Sequence, residues 1–379
     1  MNTGVYVHIP FCSNKCPYCD FFSLSANAHL ISRTIGSLVK EIELYATDRF
    51  LELETVYFGG GTPTILSVSE IDMLTSRIFK LFDSGDIKEM TIECNPETAD
   101  RGKLSGLRKT GFNRISMGFQ SLNDTALSLL GRRHDARMAI NAFRAAADAG
   151  FENIGVDLMY GIPGENTRDF LHSLEGVISL EPESISLYGL TPKSGTQLGR
   201  LVANDTTRMP SDEAVCEQYY SASCMLDANG YMCYEVSNFA RQGFECRHNL
   251  NYWKRKPYIG FGPSACSFTG ETRRKNFADL EVYNNMIESG LLPVEQEEIL
   301  SGREALFEII YLALRTPDGL DLDFLENEVQ VDAGELNDRI SHLSRDNYLD
   351  VSDGRIAVNA GSRLLTDGLA LEILDSIKS

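Results

Sequence analysis

Three cysteines near the start of the chain, Cys12, Cys16 and Cys19, are spaced C-x3-C-x2-C in the string Phe-Cys-Ser-Asn-Lys-Cys-Pro-Tyr-Cys-Asp-Phe. Three thiolates can hold three corners of a four-iron, four-sulfur cube, which leaves the fourth iron open to a small molecule. The competing reading is zinc or three unrelated thiols. Zinc usually takes a fourth protein ligand, often from a second paired motif, and the chain has no second C-x2-C. Further along, Gly59-Gly60-Gly61-Thr62-Pro63 follows a short apolar run. Glycines there let backbone approach a ligand closely, and no Gly-Lys-Ser/Thr follows to make a phosphate loop. Alone, the segment is equally well a tight turn. Glu93, Gln120 and Asp157 each lie at or just after the end of a β-rich run, and Arg132 lies in Leu-Gly-Arg-Arg-His. Singly they read as helix caps or solvated charges. Together they place polar groups on one rim of one sheet, where α/β proteins collect their chemistry.

Positioning such a rim needs parallel strands. Strand-like runs at Gly4–Ile9, Thr55–Phe58, Glu89–Cys94, Asn113–Met117, Asn153–Leu158 and Ser184–Tyr188 alternate with amphipathic stretches such as Leu30–Ala46, Val68–Leu81, Arg137–Ala149 and Thr167–Leu180. Six β-then-α units in series predict a parallel sheet with right-handed crossovers. Six are too few for an eight-fold barrel, so the expected fold is α/β, an open partial (β/α)6 TIM-like barrel with a lateral mouth. The predicted core covers residues 1–230, and 231–299 form a connecting segment dense in aromatics and glycine. Residues 300–379 form a small winged-helix-like α+β domain. Its helices (Arg303–Leu314, Leu320–Glu328, Ala333–Asp346) precede two short strands joined at Asp353-Gly354, a turn dipeptide.

The chain of 379 residues is 43% hydrophobic, enough for more than one core. It carries a formal net charge of −19. The C-terminal stretch from Leu300 alone has 7 basic against 16 acidic residues. A nucleic-acid reader needs a basic surface, so no nucleic-acid partner is expected. The acidity also argues weakly against tight binding to anionic lipid, while peripheral membrane contact and a homodimer stay open. With no long apolar run and no signal peptide, the expected location is cytoplasmic. Cysteines in a reducing compartment are thiols or metal ligands.

The cysteine spacing and its apolar lead-in resemble the radical S-adenosylmethionine (SAM) superfamily, whose open iron is chelated by the amino and carboxylate groups of SAM. Within it, the chain resembles the oxygen-independent coproporphyrinogen III oxidase branch and, most closely, its heme chaperone members. The likeness runs from Val5-Tyr6-Val7-His8-Ile9-Pro10-Phe11-Cys12 through Tyr258-Ile259-Gly260-Phe261-Gly262-Pro263-Ser264-Ala265 into the C-terminal region. It implies a [4Fe-4S] cluster on Cys12, Cys16 and Cys19. It also implies SAM contacts from Tyr6, Tyr18, Gly60, Gly61, Thr62, Glu93, Gln120, Arg132 and Asp157, with Gly189 and Cys266 at two further positions. Carboxylates suit the ribose hydroxyls of SAM, and a guanidinium suits its carboxylate.

Two departures separate the chain from the oxidases. Their fourth cysteine, two residues past the third, is Phe21 here, and Cys12 lies almost at the start of the chain. Arg247-His248-Asn249-Leu250-Asn251-Tyr252-Trp253 matches the H-N-x-x-Y-W motif of the heme chaperones. That likeness implies heme, with His248 as a candidate axial ligand, Asn249 in the motif, and Tyr252 and Trp253 as stacking area. Arg247 or Lys254 could pair with a propionate. The plainer reading is a hydrogen-bonded histidine beside a core tryptophan. The expected function is to bind heme and pass it to heme-accepting proteins. The alternatives are a radical SAM coproporphyrinogen III oxidase, acting by oxidative decarboxylation, and an iron–sulfur redox sensor.

Overall fold

The computed structural model describes residues 2–45, 52–83, 85, 87–328 and 333–377. The predicted helix end at Ala46 and residues 329–332 of the predicted C-terminal module lie outside that set. Six parallel strands, β1 (Asn2–Ile9), β2 (Glu52–Gly60), β3 (Glu89–Cys94), β4 (Arg114–Gln120), β5 (Ile154–Tyr160) and β6 (Ser184–Gly189), follow one another in register. The crossover helices begin where the sequence supplies caps. Ser67 and Glu70 form a reciprocal capping box for Val68–Leu81, and Asp100, Asp135 and Asn166 cap the helices that follow them.

The strands alternate apolar and polar residues, and each set has its own side. Val5, Val7, Val56, Phe58, Ile92, Ile115, Met117, Val156 and Leu158 are buried in the main core, which continues into the helices. Tyr57, Glu93, Arg114, Ser116, Gly118, Asp157 and Ser186 face the other way and line an internal cavity. Period-two patterning thus builds a barrel with a greasy outside and a polar lumen.

Residues 232–299 extend the sheet at both edges. After the antiparallel pair β7 (Met232–Glu235) and β8 (Asn238–Ala240) come β9 (Tyr258–Phe261), β10 (Cys266–Phe268), β11 (Thr272–Asn276) and β12 (Val294–Ile299). The order is β12-β11-β10-β9-β1-β2-β3-β4-β5-β6-β8-β7, a twelve-stranded sheet that does not close. β9 pairs in parallel with β1 and acts as a seventh barrel strand. Periodicity did not expose it, because Tyr258–Phe261 is four residues long and glycine-bearing.

The C-terminal region has a separate core around Leu306, Ile310, Leu314, Ile340, Ile356 and Leu369. Its hairpin, Leu349–Ser352 with Arg355–Val358, turns at Asp353 (φ 50°) and Gly354 (φ 72°), and Leu320–Asp321 adds a third antiparallel strand. Among the described residues no helix is long and apolar enough to cross a membrane.

Candidate functional site

The three cysteines sit past the end of β1, on a loop closed by the Cys19 N–H donating to the Cys16 carbonyl at 3.2 Å. Gly60 and Gly61 bring the end of β2 against that loop. Gly60 has φ +114°, and a side chain there would strike the His8 ring at 2.7 Å. A side chain at Gly61 would lie 2.6 Å from the Phe11 carbonyl oxygen and 3.0 Å from Cys12 Sγ. The triglycine segment is therefore required by close approach, beyond any turn it makes.

A polar chain laces the thiols together. Thr62 Oγ1 donates to Cys12 Sγ at 3.6 Å, and Asn95 Nδ2 donates to Thr62 Oγ1 at 2.9 Å. Arg132 Nη2 donates to Asn95 Oδ1 at 2.5 Å and to the Gly118 carbonyl at 2.9 Å. Arg132 Nη1 reaches Cys16 Sγ at 3.6 Å. Burial pushes the Cys12 thiol above its ordinary range, opposed by the Thr62 hydrogen bond and, more weakly, the Arg132 charge. Among the described residues no group of three or more Cys, His, Asp or Glu side chains is placed to hold a single metal ion.

These thiols open onto a cavity of about 430 Å³ inside the barrel, within the usual range for small-ligand sites. Tyr18, Gly60, Gly61, Thr62, Glu93, Gln120, Arg132, Asp157 and Gly189 all line it. Gln120 takes a left-handed φ of 67° at a register shift in β4, a backbone strain concentrated at the rim. Glu93 accepts from the Tyr57 hydroxyl at 2.9 Å and the Gly60 N–H at 3.1 Å. Burial raises its carboxyl to about 7; the Asp157 charge adds to that, and the two hydrogen bonds oppose it. Asp157 accepts from Ser116 Oγ at 3.2 and 3.3 Å and is also raised by burial. Arg132 Nε is buried without a partner. An orphaned guanidinium donor, two carboxylates and three thiols on one wall are the donor set that a zwitterionic, ribose-bearing ligand on an open iron would use.

Tyr6 and Cys266 stand apart from that wall. The Tyr6 hydroxyl is 3.1 Å from His8 Nδ1, beneath the glycines, and Cys266 lies on β10. Sequence reasoning missed Tyr57, Asn95 and Arg114. Asn95 was legible two residues after Glu93 in Ile-Glu-Cys-Asn-Pro, whereas Arg114, at the first position of its strand, lies in no motif that singles it out.

The H-N-x-x-Y-W residues are not on an open surface. Helix Arg247–Trp253 plugs the barrel at the N-terminal ends of the strands, opposite the cysteines. Glu89, first residue of β3, accepts the N–H groups of Arg247 at 3.0 Å and His248 at 3.1 Å. His248 is buried and stacks on Tyr57 with ring centroids 5.1 Å apart. Its Nδ1 is 2.8 Å from Thr55 Oγ1, and its Nε2 is 2.8 Å from the Tyr252 hydroxyl. Burial, aided by the Arg114 charge, lowers its pKa to about 3, so it is neutral. In this pose both ring nitrogens of His248, the candidate axial ligand, are engaged. Asn249 meets the cavity from below, and Tyr252 packs edge-on to Tyr258 at 4.6 Å. Trp253 lies under the Arg315 guanidinium at 5.3 Å, its indole N–H buried without a partner. Lys254 pairs with Asp318 at 3.2 Å, both side chains being exposed.

Comparison with known proteins agrees with this geometry. Residues 6–176 match the radical SAM superfamily, and residues 300–365 match the HemN C-terminal domain. A Mycobacterium tuberculosis protein named heme chaperone HemW is 32% identical over 98% of this chain and 94% of its own length. The chain belongs to the radical SAM superfamily, in its HemN-like branch. A Bacillus subtilis protein, also named heme chaperone HemW, is 34% identical over 84% of both chains. The solved structure of coproporphyrinogen III oxidase (HemN) from Escherichia coli superposes with a TM-score of 0.85, covering 98% of this chain and 90% of that one at 24% identity. That likeness extends the shared fold through the C-terminal module. Membership in the superfamily implies a [4Fe-4S] cluster and SAM.

Proposed function

We propose that this protein is a cytoplasmic heme chaperone that carries a [4Fe-4S] cluster on Cys12, Cys16 and Cys19, binds SAM in the barrel cavity, and passes heme to acceptor proteins. The observation that carries the cofactor reading is the one cavity that the three thiols line together with Glu93, Arg132, Asp157 and the glycines. The cluster supplies one-electron chemistry to whatever its open iron holds. The chain's own residues do the rest. Thr62 and Arg132 donate to the sulfurs of Cys12 and Cys16, the glycines admit backbone, and the carboxylates accept from hydroxyl and ammonium donors. The heme reading is supported by relatives named heme chaperones across nearly the whole chain and by the His248-Asn249…Tyr252-Trp253 motif. Phe21, standing where the oxidases have a further cysteine, is two-thirds exposed on the cavity wall.

The test is one anaerobic experiment on the full chain with reconstituted cluster. Heme binding is followed by its Soret band, and coproporphyrinogen III turnover is assayed in parallel. The expected result is stable heme binding with no porphyrinogen product, and loss of the cluster's visible absorbance in C12A but not in C216A. Conversion of coproporphyrinogen III to protoporphyrinogen IX would replace this reading with the oxidase. A protein holding its cluster and binding neither heme nor porphyrinogen would point to the redox sensor.

A further inference from the structure

Arg114 is a buried cation that the site described above leaves unused. It opens β4, is 3% exposed, and lines the same cavity as Glu93 and Asp157. Its Nη2 donates to Ser184 Oγ at 3.1 Å, while its Nε is buried with no partner. Gly155 makes room for it, since a side chain there would meet Arg114 Nη2 at 3.0 Å and Ser184 Oγ at 2.8 Å. Ser116 lines the next rung of the barrel and hands its hydroxyl to Asp157. Among the described residues no carboxylate forms an ion pair with Arg114. A buried charge without a direct counter-ion is costly, so its compensation comes at longer range, from Glu89 on one side and the lumen carboxylates Glu93 and Asp157 on the other.

We propose that Arg114 is a positioning residue for SAM, its buried charge favouring the accepting, ionised forms of Glu93 and Asp157 in the cavity that the three residues line together. The inference rests on the reading that SAM occupies this cavity. The pair needs such help. Two carboxylates in one low-dielectric lumen repel, and burial favours their neutral forms, which accept more weakly and cannot balance an ammonium or sulfonium. Arg132, which lines the cavity with Arg133 and Lys193, already serves Cys16, Asn95 and the Gly118 carbonyl. The remaining titratable groups facing the pair are Tyr6, Tyr57 and Tyr188, all raised by burial and therefore neutral. Glu89, Cys246, Tyr234 and Tyr57 face Arg114 itself, and of these Glu89 is the carboxylate.

The test measures SAM affinity by calorimetry on the cluster-loaded chain between pH 6 and 9, for wild type, R114M and R114K. The amine of SAM titrates identically in every case, so the difference between curves is what counts. Removing a cation makes the carboxylates harder to ionise, so less of each is in its accepting form at neutral pH. R114M should therefore bind SAM about tenfold or more weakly at pH 7, and should recover toward wild type by pH 9. R114K should stay near wild type throughout. A loss in R114M that is equal at every pH, an unchanged affinity, or a lysine variant as poor as methionine would overturn the proposal. If R114M fails to fold or to hold its cluster, R114Q carries the same comparison. D157A and E93Q run alongside. If neither weakens SAM, the SAM reading of the cavity has failed, a result distinct from failure of the Arg114 role.

Discussion

At the scale of single residues, the site depends most on a side chain that makes no contact with a thiol. Asn95 uses both ends of its amide, donating to Thr62 and accepting from Arg132, and those two residues in turn donate to Cys12 and Cys16. N95A removes both links, at about 0.5–1.5 kcal/mol for the one to Thr62 and about 1.5–3 kcal/mol for the one to the Arg132 guanidinium, while Arg132 keeps the Gly118 carbonyl and Thr62 keeps Cys12. The expected result is slower cluster reconstitution and faster loss of the visible absorbance under chelator, with little change in far-UV circular dichroism. N95D keeps the acceptor toward Arg132 and should fall between wild type and N95A. An N95A cluster as persistent as the wild type's would show that Thr62 and Arg132 hold their places without the bridge.

At the scale of elements, local rules carried most of the architecture. Each crossover helix follows an Asn, Asp or Ser cap, and β-branched runs supplied the six strands, so the barrel core and the rim bearing Glu93 and Asp157 were legible from residues 4–188. What was not legible depended on contacts distant in sequence. β9 is identified only by pairing with β1, and His248 is buried only because Thr55, Tyr57 and Glu89 come from strands about 160–200 residues away. Glu41 shows the same thing energetically. It is buried on helix Ala28–Tyr45 and accepts from the Gly262 N–H at 2.8 Å, Asn276 Nδ2 at 2.6 Å and the Tyr283 hydroxyl at 2.6 Å. It thereby ties that helix to the turn after β9, to β11 and to helix Leu280–Glu288. Burial raises its carboxyl from an ordinary 4.5 to about 7, with the hydrogen bonds opposing. A carboxyl raised on folding contributes stability that is full below its unfolded value and is lost as pH rises through the folded one. Denaturant unfolding of the chain should therefore show stability declining between about pH 4.5 and 7, by up to about 3 kcal/mol from this group. E41Q should flatten that part of the profile; an identical slope in E41Q would assign the decline to other carboxyls.

At the scale of the whole molecule, the two ends of the barrel are joined through one column of side chains. The cavity opens at the cysteine end and reaches Asn249 on the plug helix, and His248 stacks beneath Tyr57, whose hydroxyl holds Glu93. The plug is in turn clamped by the C-terminal module. Arg315 covers Trp253, Asp318 pairs with Lys254, and Glu308 accepts from Arg273 Nη2 at 2.5 Å beside Arg255. If heme iron takes His248 as a ligand, one of its bonds, to Thr55 or to Tyr252, must open first, and the plug must loosen from this clamp. Heme association then has a step that no excess of heme can hasten. In stopped-flow mixing with the full chain, the rate of Soret change should rise with heme concentration and then level at a plateau set by plug opening. Weakening the clamp with E308Q or R315M should raise the plateau, because each removes a contact made only in the closed pose. H248A should remove the ligation band without affecting the cluster. A rate that climbs linearly with heme at every concentration, with no effect of E308Q or R315M, would place the iron ligand elsewhere on the chain and leave His248 as a structural pin of the barrel floor.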